Sequence, residues 1–230
     1  MIKKILDIIL TVILLGISVA SVFMWDENKY ETAHTDGEVV IVVDAGHGGN
    51  DPGKVGVNGV LEKDINLQIA FILKEYLEKD GARVVLTRSE DKGLYEEGVS
   101  NKKASDMKAR CELAKTVEAD IVISIHQNSY TDNSVSGPQV FFYKGSEEGE
   151  RLASCIQNGI MENVAGIKER PVKADSDYYM LCNTECTTVI IECGFLSNPE
   201  EAEKLCNVEY QRMLANGISQ GTIDFLRLSD

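Results

Sequence analysis

The sequence has few of the residues that build fibrous, low-complexity or cysteine-ligated metal proteins. Its 230 residues include only four prolines and one tryptophan, and no segment repeats. This composition excludes collagen-like and low-complexity classes. None of the six cysteines forms a CxxC pair, which argues against a zinc site built from cysteines. We expect buried free thiols in a domain too large to need disulfides, with a Cys182–Cys186 bridge as the alternative.

Positive charge is also scarce in this chain. It has 23 Lys and Arg residues against 37 Asp and Glu residues, which gives a formal net charge of -14. Nucleic-acid binding relies on clustered Lys and Arg side chains, so we expect no nucleic-acid partner. The acidic surface predicts good solubility but identifies no substrate.

One long apolar run is present, at the amino terminus. Two lysines precede it, and Asp7 is its only charged residue. A run of about twenty mostly apolar residues is long enough to cross a bilayer, and basic residues before it stay in the cytoplasm. We therefore predict a retained signal-anchor in residues 1–25, a tether in residues 26–37 and an exported domain in residues 38–230. Cleavage at the small-residue site Ser18–Ala20 is the alternative.

Short apolar runs alternate with amphipathic segments through the exported domain. Ile65, Ile69 and Ile72 follow the three- and four-residue spacing of a helix that packs on a core. Such patterns predict strands at 38–43, 83–86, 121–125, 139–143 and 188–191, and helices at 63–79, 102–118, 147–162, 199–206 and 209–227. This alternation predicts an α/β fold, in which a single domain has a mostly parallel central sheet with helices on both faces.

Polar residues follow three of the predicted strands, where open sheets of this kind place their sites. His47 lies between glycines that permit a tight turn, His126 follows strand 121–125, and Glu192 follows strand 188–191. Glu62 opens helix 63–79. Each residue alone is more often structural. Two imidazoles and one carboxylate with an open fourth position, however, form a catalytic zinc set. A further carboxylate beside buried surface then suits a general base.

Four ordered motifs resemble those of the zinc-dependent N-acetylmuramoyl-L-alanine amidases called the amidase 3 family. In chain order they are DAGHGG at 44–49 with DPG at 51–53, EKD at 62–64 with Asn66, SIH at 124–126 with Asn128, and ECGFLSN at 192–198 with Glu201. The resemblance runs from about residue 39 to about residue 226. It is specific because all four motifs occur in the order and spacing of the family.

The resemblance implies one zinc ion per chain, held by His47, Glu62 and His126, with Glu192 as the catalytic base. It implies hydrolysis of the amide bond between N-acetylmuramic acid and L-alanine. The partners would then be peptidoglycan glycan strands and stem peptides, with an accessory or activating protein left open. A catalytic domain directly behind a membrane anchor is similar to the sporulation amidases that prepare the spore cortex. The domain would face the cell wall or the space around a developing spore.

Two alternative functions remain open at this point. A zinc carboxypeptidase or endopeptidase that acts on wall peptides could use a related ligand set. A non-catalytic peptidoglycan-binding regulatory module could keep the fold with a decayed site, although the intact motif residues argue against it.

Several residues beside the motifs carry further expectations. The chain departs from the usual family pattern at Ala45, Lys54, Thr187 and Cys193. We expect Lys54 and Cys193 to border the site and to influence substrate preference. Tyr178–Tyr179 should pack half-buried, with a glycan groove as the alternative. The charges of Leu86–Arg88 and Asp106–Arg110 should fix loops and helix ends.

Overall fold

The structure is a computed structural model, and it describes residues 37–96 and 98–227. These residues belong to a single compact unit. The predicted anchor at 1–25, nearly all of the predicted tether and its His34 lie outside the described residues. Within the described part of the chain, every helix is too short or too polar to cross a membrane.

Six strands and six helices alternate along the described chain. The strands are β1 Val40–Ala45, β2 Arg83–Leu86, β3 Ile121–Asn128, β4 Gln139–Tyr143, β5 Lys173–Asp175 and β6 Thr187–Phe195. The helices are α1 Glu62–Lys79, α2 Lys102–Thr116, α3 Glu147–Asn163, α4 Tyr179–Asn183, α5 Pro199–Leu205 and α6 Val208–Arg227. All ten predicted elements are present, which confirms the α/β prediction. The short β5 and α4 were not predicted, because three and five residues are too few to show a hydrophobic period.

All six strands form one sheet in the order β2-β1-β3-β6-β4-β5. Strands β2, β1, β3 and β6 run parallel to one another. Strand β4 pairs with β6 in the antiparallel direction, and β5 runs parallel to β4. The prediction of a mostly parallel sheet is therefore confirmed, with a reversed pair of strands at one edge.

Helices cover both faces of this sheet, as predicted. Alternate side chains of a strand point to opposite faces, and in β1 both sets are fully buried and, as far as Val43, apolar. Ile41 and Val43 join a large hydrophobic cluster with side chains of α1, α3 and α6. Val40 and Val42 join a smaller cluster with side chains of α2 and α4. The continuous Val-Ile run of β1 is thus explained by burial on both sides.

Two central strands are longer than the sequence predicted. Their apolar runs end at Ile125 and Ile191, but β3 continues to Asn128 and β6 to Phe195. His126 and Glu192 therefore lie within paired strands, opposite each other in the ladder, and not beyond the strand ends. The prediction was wrong about the ends because polar residues continue a strand when their side chains find buried partners.

Helices α3 and α6 cross at backbone contact. A Cβ atom added to Gly217 would lie 2.7 Å from the carbonyl oxygen of Gly159, and one added to Gly221 would lie 2.4 Å from the carbonyl oxygen of Cys155. Backbone atoms cannot yield as the end of a flexible side chain can. Glycine is therefore required at this crossing, which holds the outer layer of the large cluster together.

We predict that Gly221→Ala destabilises the domain. Overpacking typically costs about 1–3 kcal/mol, which exceeds the gain of about 1 kcal/mol that Ala has over Gly in a helix. Urea unfolding of the variant should show a lower midpoint. The exposed neighbour Gln220 offers a matched control, because Gln220→Ala adds no atom at the crossing. Equal midpoints for Gly221→Ala and wild type would contradict the close crossing.

Candidate metal centre and active site

His47 lies in the loop that follows β1. Its φ of 63° falls in the left-handed region, which costs a residue with a side chain about 1–3 kcal/mol and is tolerated mainly at functional sites. The opposite side of the site is equally tight at Gly53, where φ is 68° and an added Cβ would lie 2.5 Å from Glu62 Oε2 and 2.7 Å from the His47 ring. Only glycine at position 53 lets the chain pass this close to both side chains.

The structure brings His47, Glu62 and His126 together. Glu62 is the first residue of α1 and is 2% exposed. Its Oε1 lies 3.2 Å from His47 Nε2 and 2.9 Å from His126 Nδ1. The two imidazole rings meet edge to face, with centroids 4.9 Å apart. One ligand atom from each residue falls within 4.8 Å of the others, so these three residues could hold a metal ion.

The surroundings of Glu62 keep its carboxylate ionised. Besides the two histidines, the backbone amides of Gln127 and Lys54 donate hydrogen bonds to it at 3.1 and 2.7 Å. Burial alone would raise the pKa of Glu62, but the hydrogen bonds and charges of His126 and His47 hold that pKa well below its ordinary value. Desolvation likewise opposes the charged form of His126, whose pKa is nevertheless raised by Glu62. An ionised carboxylate between two imidazoles matches the donor preference of zinc.

Asp51 orients the His47 ring through Nδ1, the ring nitrogen on the side away from Glu62. Its Oδ2 lies 2.9 Å from His47 Nδ1, which leaves Nε2 directed toward Glu62. A carboxylate on the second ring nitrogen fixes the tautomer and the orientation of a metal-binding histidine. The DPG motif contained Asp51, but no feature of the sequence assigned it this role. Its position four residues after His47, within one turn-rich loop, was the available signal.

Glu192 faces the same site from β6. It is 7% exposed and is paired in register with His126 of β3 and Gln139 of β4. Its Oε1 accepts a hydrogen bond from the Tyr178 hydroxyl at 3.1 Å. Its buried Oε2 has no hydrogen-bond partner among the described residues. Burial raises the pKa of Glu192 above its ordinary value, and the nearby charge of His126 only partly offsets this effect.

Comparison with known proteins assigns the chain to a family. Residues 41–224 match the family described as N-acetylmuramoyl-L-alanine amidase, Amidase_3. The chain belongs to this family. The germination-specific N-acetylmuramoyl-L-alanine amidase of Bacillus subtilis (strain 168) is 38% identical over 189 residues, which cover 81% of this chain and 79% of that protein.

Solved structures extend this assignment. The CwlD amidase of Clostridioides difficile, solved in complex with the GerS lipoprotein, is similar with a TM-score of 0.80 and 36% identity over 83% of this chain and 100% of that chain. The amidase AmiC2 of Nostoc punctiforme is similar with a TM-score of 0.73 and 32% identity over 83% of this chain and 98% of that chain. The chain is thus a hydrolase of the N-acetylmuramoyl-L-alanine amidase class, as its motifs indicated.

The first motif of the amidase begins with a buried ion pair. Asp44 is fully buried, and its Oδ1 accepts hydrogen bonds from Arg110 and, at 2.8 Å, from Thr87. Its Oδ2 accepts a hydrogen bond from Ser124 at 2.5 Å. Burial alone would raise the pKa of Asp44, but Arg110 and these hydroxyls lower the pKa to about 2. Asp44 therefore joins β1 to β3, to α2 and to Thr87, the residue directly after β2.

Two buried arginines hold the loop that carries His47. Arg110 donates hydrogen bonds to the carbonyl oxygens of Ala45 and His47 at 3.0 and 2.8 Å. Arg88 donates to the carbonyl oxygens of Ala45 and Gly46 at 2.9 and 3.2 Å. The prediction that these charged residues fix loops is confirmed. Their guanidinium groups satisfy carbonyls that the left-handed turn leaves without ladder partners.

The remaining expectations beside the motifs have mixed outcomes. Lys54 is exposed and touches the site through its backbone amide. Cys193 does not border the site, because successive strand side chains alternate and its own enters the large hydrophobic cluster. Tyr178 is half-buried against Phe141, as expected, but Tyr179 is exposed, and the contact of Tyr178 with Glu192 was missed. All six cysteines are free, as predicted, but only Cys193 among them is buried, whereas Cys182 and Cys206 are exposed.

We predict that Asp44→Asn destabilises the domain by about 3–5 kcal/mol, because removing one partner leaves the Arg110 charge buried without its main counter-ion. Chemical denaturation at pH 7 measures this loss. Asp224→Asn offers a matched control, since Asp224 is exposed and pairs with Arg227 only at 3.8 Å.

Wild type and Asp44→Asn can also be compared as a function of pH. The pKa of Asp44 is about 2 in the folded domain against an ordinary value of 3.8. Its lowered folded pKa means that the stabilisation is complete above the unfolded pKa and is lost as the pH falls through the folded pKa. The stability difference between wild type and Asp44→Asn should therefore shrink from about pH 4 to about pH 2. A difference that stays constant over this range would contradict the assignment.

Proposed function

We propose that the chain hydrolyses the amide bond between N-acetylmuramic acid and L-alanine with one zinc ion per chain. His47, Glu62 and His126 bind the ion, and Glu192 is the general base. The observation that carries this proposal is the meeting of three metal-binding side chains with a buried carboxylate, one oxygen of which has no described partner. Family membership supports the same reaction.

The donor set fits zinc in kind and in number. Two imidazoles and one carboxylate leave a fourth position for water or substrate, which distinguishes catalytic from structural zinc sites. The outer contact from Asp51 to His47 is of the type that such ligands require. When bound, a zinc ion supplies Lewis acidity toward the scissile carbonyl and the attacking water.

Glu192 can move the proton that the reaction transfers. Its free Oε2 accepts a proton from the attacking water and delivers it to the nitrogen of the departing L-alanine. Both steps need a carboxyl group that is readily protonated and readily deprotonated. Burial favours the neutral form and raises the pKa of Glu192 above its ordinary value, which makes protonation of this carboxylate easier.

Tyr178 positions this base. Its hydroxyl occupies Oε1 of Glu192 at 3.1 Å and so leaves Oε2 as the oxygen that reacts. The Tyr178 ring packs edge to face on Phe141 of β4, with centroids 5.3 Å apart. The backbone amide of Tyr178 donates a hydrogen bond to the Asp175 side chain. The reversed edge strands β4 and β5 therefore bring Tyr178 over the central strand β6.

The biological setting is also proposed. Similarity to a germination-specific amidase and to CwlD supports a role in spore cortex peptidoglycan. The complex of that CwlD with a lipoprotein supports an accessory protein for this amidase as well. We further propose that residues 1–25 anchor residues 38–230 outside the cytoplasm, which rests on the apolar run of the sequence.

The function is tested by product analysis with purified muropeptides. The zinc-loaded chain should release stem peptides with a new L-alanine amino terminus. Release of a carboxyl-terminal residue would instead identify a carboxypeptidase. Binding without any product would identify a non-catalytic module.

Two variants should separate metal binding from proton transfer. His126→Ala should lose most of the zinc and the activity together. Glu192→Gln should keep about one zinc per chain, yet lose about a hundredfold to ten-thousandfold in rate, because an amide cannot accept the proton. Metal analysis and turnover of the same preparations provide the measurement. Near-native turnover by Glu192→Gln would refute its role as the base.

Tyr178→Phe should lower kcat about tenfold, the effect of one hydrogen bond to a charged group, with little change in KM. The ring that packs on Phe141 is kept. Tyr179, the exposed neighbour of Tyr178, provides a matched control, so Tyr179→Phe should behave as wild type. In a Glu192→Gln background, Tyr178→Phe should cause no further loss, since the two residues act as one unit. A kcat within twofold of wild type would show that the hydrogen bond has no role in positioning Glu192.

A further inference from the structure

A cavity of about 320 Å³ opens beside the candidate metal centre. Its lining includes His47 and His126 together with Tyr95, Lys102 and Lys103. The volume is at the lower end of the range for small-ligand sites. A substrate whose scissile amide lies at the two histidines would therefore extend part of its structure into this cavity.

The acidic groups of this cavity are already engaged. Asp44 is paired with Arg110. Asp51 is bound to His47. Asp106 accepts hydrogen bonds from Arg110 and from a backbone amide. These carboxylates thus have little capacity left to attract a cation.

Lys102 and Lys103 form no direct contact of this kind with an acidic group of the described residues, although the charge of Lys103 is close enough to act on Asp51. Within residues 37–96 and 98–227, neither Lys102 nor Lys103 forms an ion pair. The nearest basic residues before and after them in the sequence that do so are Lys92 and Arg110. Lys102 Nζ lies 4.9 Å from the centre of the Tyr95 ring, a contact that leaves its hydrogen-bond donors available. In a chain with a net charge of -14, the uncommitted charge of this cavity is positive.

We infer that Lys102 and Lys103 form a subsite for a carboxylate of the stem peptide. This inference rests on the proposed function, which places that amide at the histidines. A carboxylate is the favoured anion because the group must be covalently linked to a substrate that already occupies the metal centre. The amidase would then prefer stems whose second residue keeps its free carboxylate over stems in which it is amidated.

The test uses two synthetic muramyl peptides that differ only in this carboxylate, free in one and amidated in the other. The zinc-loaded full-length chain should show a higher kcat/KM for the acid. In Lys102→Gln/Lys103→Gln, kcat/KM for the acid should fall about twofold to thirtyfold, the effect of two exposed ion pairs. The value for the amide should change by less than twofold, so the preference should disappear.

A matched control removes the same charge from the same helix. Lys108 and Lys115 are exposed residues of α2 that do not line the cavity. The variant Lys108→Gln/Lys115→Gln should keep the wild-type preference, which separates a local subsite from a general effect of net charge. An unchanged preference in Lys102→Gln/Lys103→Gln would overturn the inference, as would an equal fall for both substrates.

Calorimetry with the free stem peptides, acid and amide, distinguishes failure of the subsite from failure of the proposed function. This measurement needs no turnover. If the chain cleaves neither substrate but binds the acid more tightly in a lysine-dependent way, the proposed reaction fails and the subsite stands. If it cleaves both substrates equally and binds both stems equally, the reaction stands and the subsite fails. The single variant Lys103→Gln repeats both measurements with a smaller change to the surface.

Discussion

The ion pair between Asp44 and Arg110 is the contact on which the geometry of the site depends. Both side chains are about 1% exposed, and the pair joins the end of β1 to α2. The hydroxyls of Thr87, directly after β2, and of Ser124 in β3 also contact Asp44. A buried ion pair is often no more stabilising than a well-packed apolar one. Its contribution here is directional, because the same guanidinium reaches the carbonyl oxygen of His47 and fixes a histidine in a left-handed conformation.

Two buried glutamates lie at this site, and their different environments shift their pKa values in opposite directions. Glu62 lies within 3.2 Å of two imidazole nitrogens and accepts hydrogen bonds from two backbone amides, and despite its burial its pKa is lowered. Glu192 receives one from Tyr178, and burial raises its pKa. Groups of one chemical type can serve as ligand and as base when their surroundings shift their pKa values in opposite directions. The proposed mechanism uses this difference, with the ionised carboxylate at the metal and the more readily protonated one beside it.

The fold was largely predictable because its central strands and long helices carry clear hydrophobic patterns. The Val-Ile run of β1 and the isoleucine spacing of α1 predicted a covered parallel sheet, and both elements lie in the large core cluster. The errors fall where the pattern is weak. Strand β5 has the sequence Lys-Ala-Asp and no apolar run. The reversed direction of β4 could not be read from its apolar residues, since burial leaves the same pattern in either direction.

Local sequence patterns specified the order of the ten longer elements, the four motifs and the identity of the residues that could bind metal or transfer a proton. Those features depend on local hydrophobic period and on residue type, which a single chain displays directly. Only the tertiary structure decided which atoms meet. The contact of Asp51 with His47 depends on a loop conformation, and that of Tyr178 with Glu192 depends on how the reversed edge strands lie against β6. The cavity that joins Lys102 and Lys103 to the histidines likewise spans residues far apart in the chain. Such contacts are set by strand register and helix packing, which no local pattern specifies.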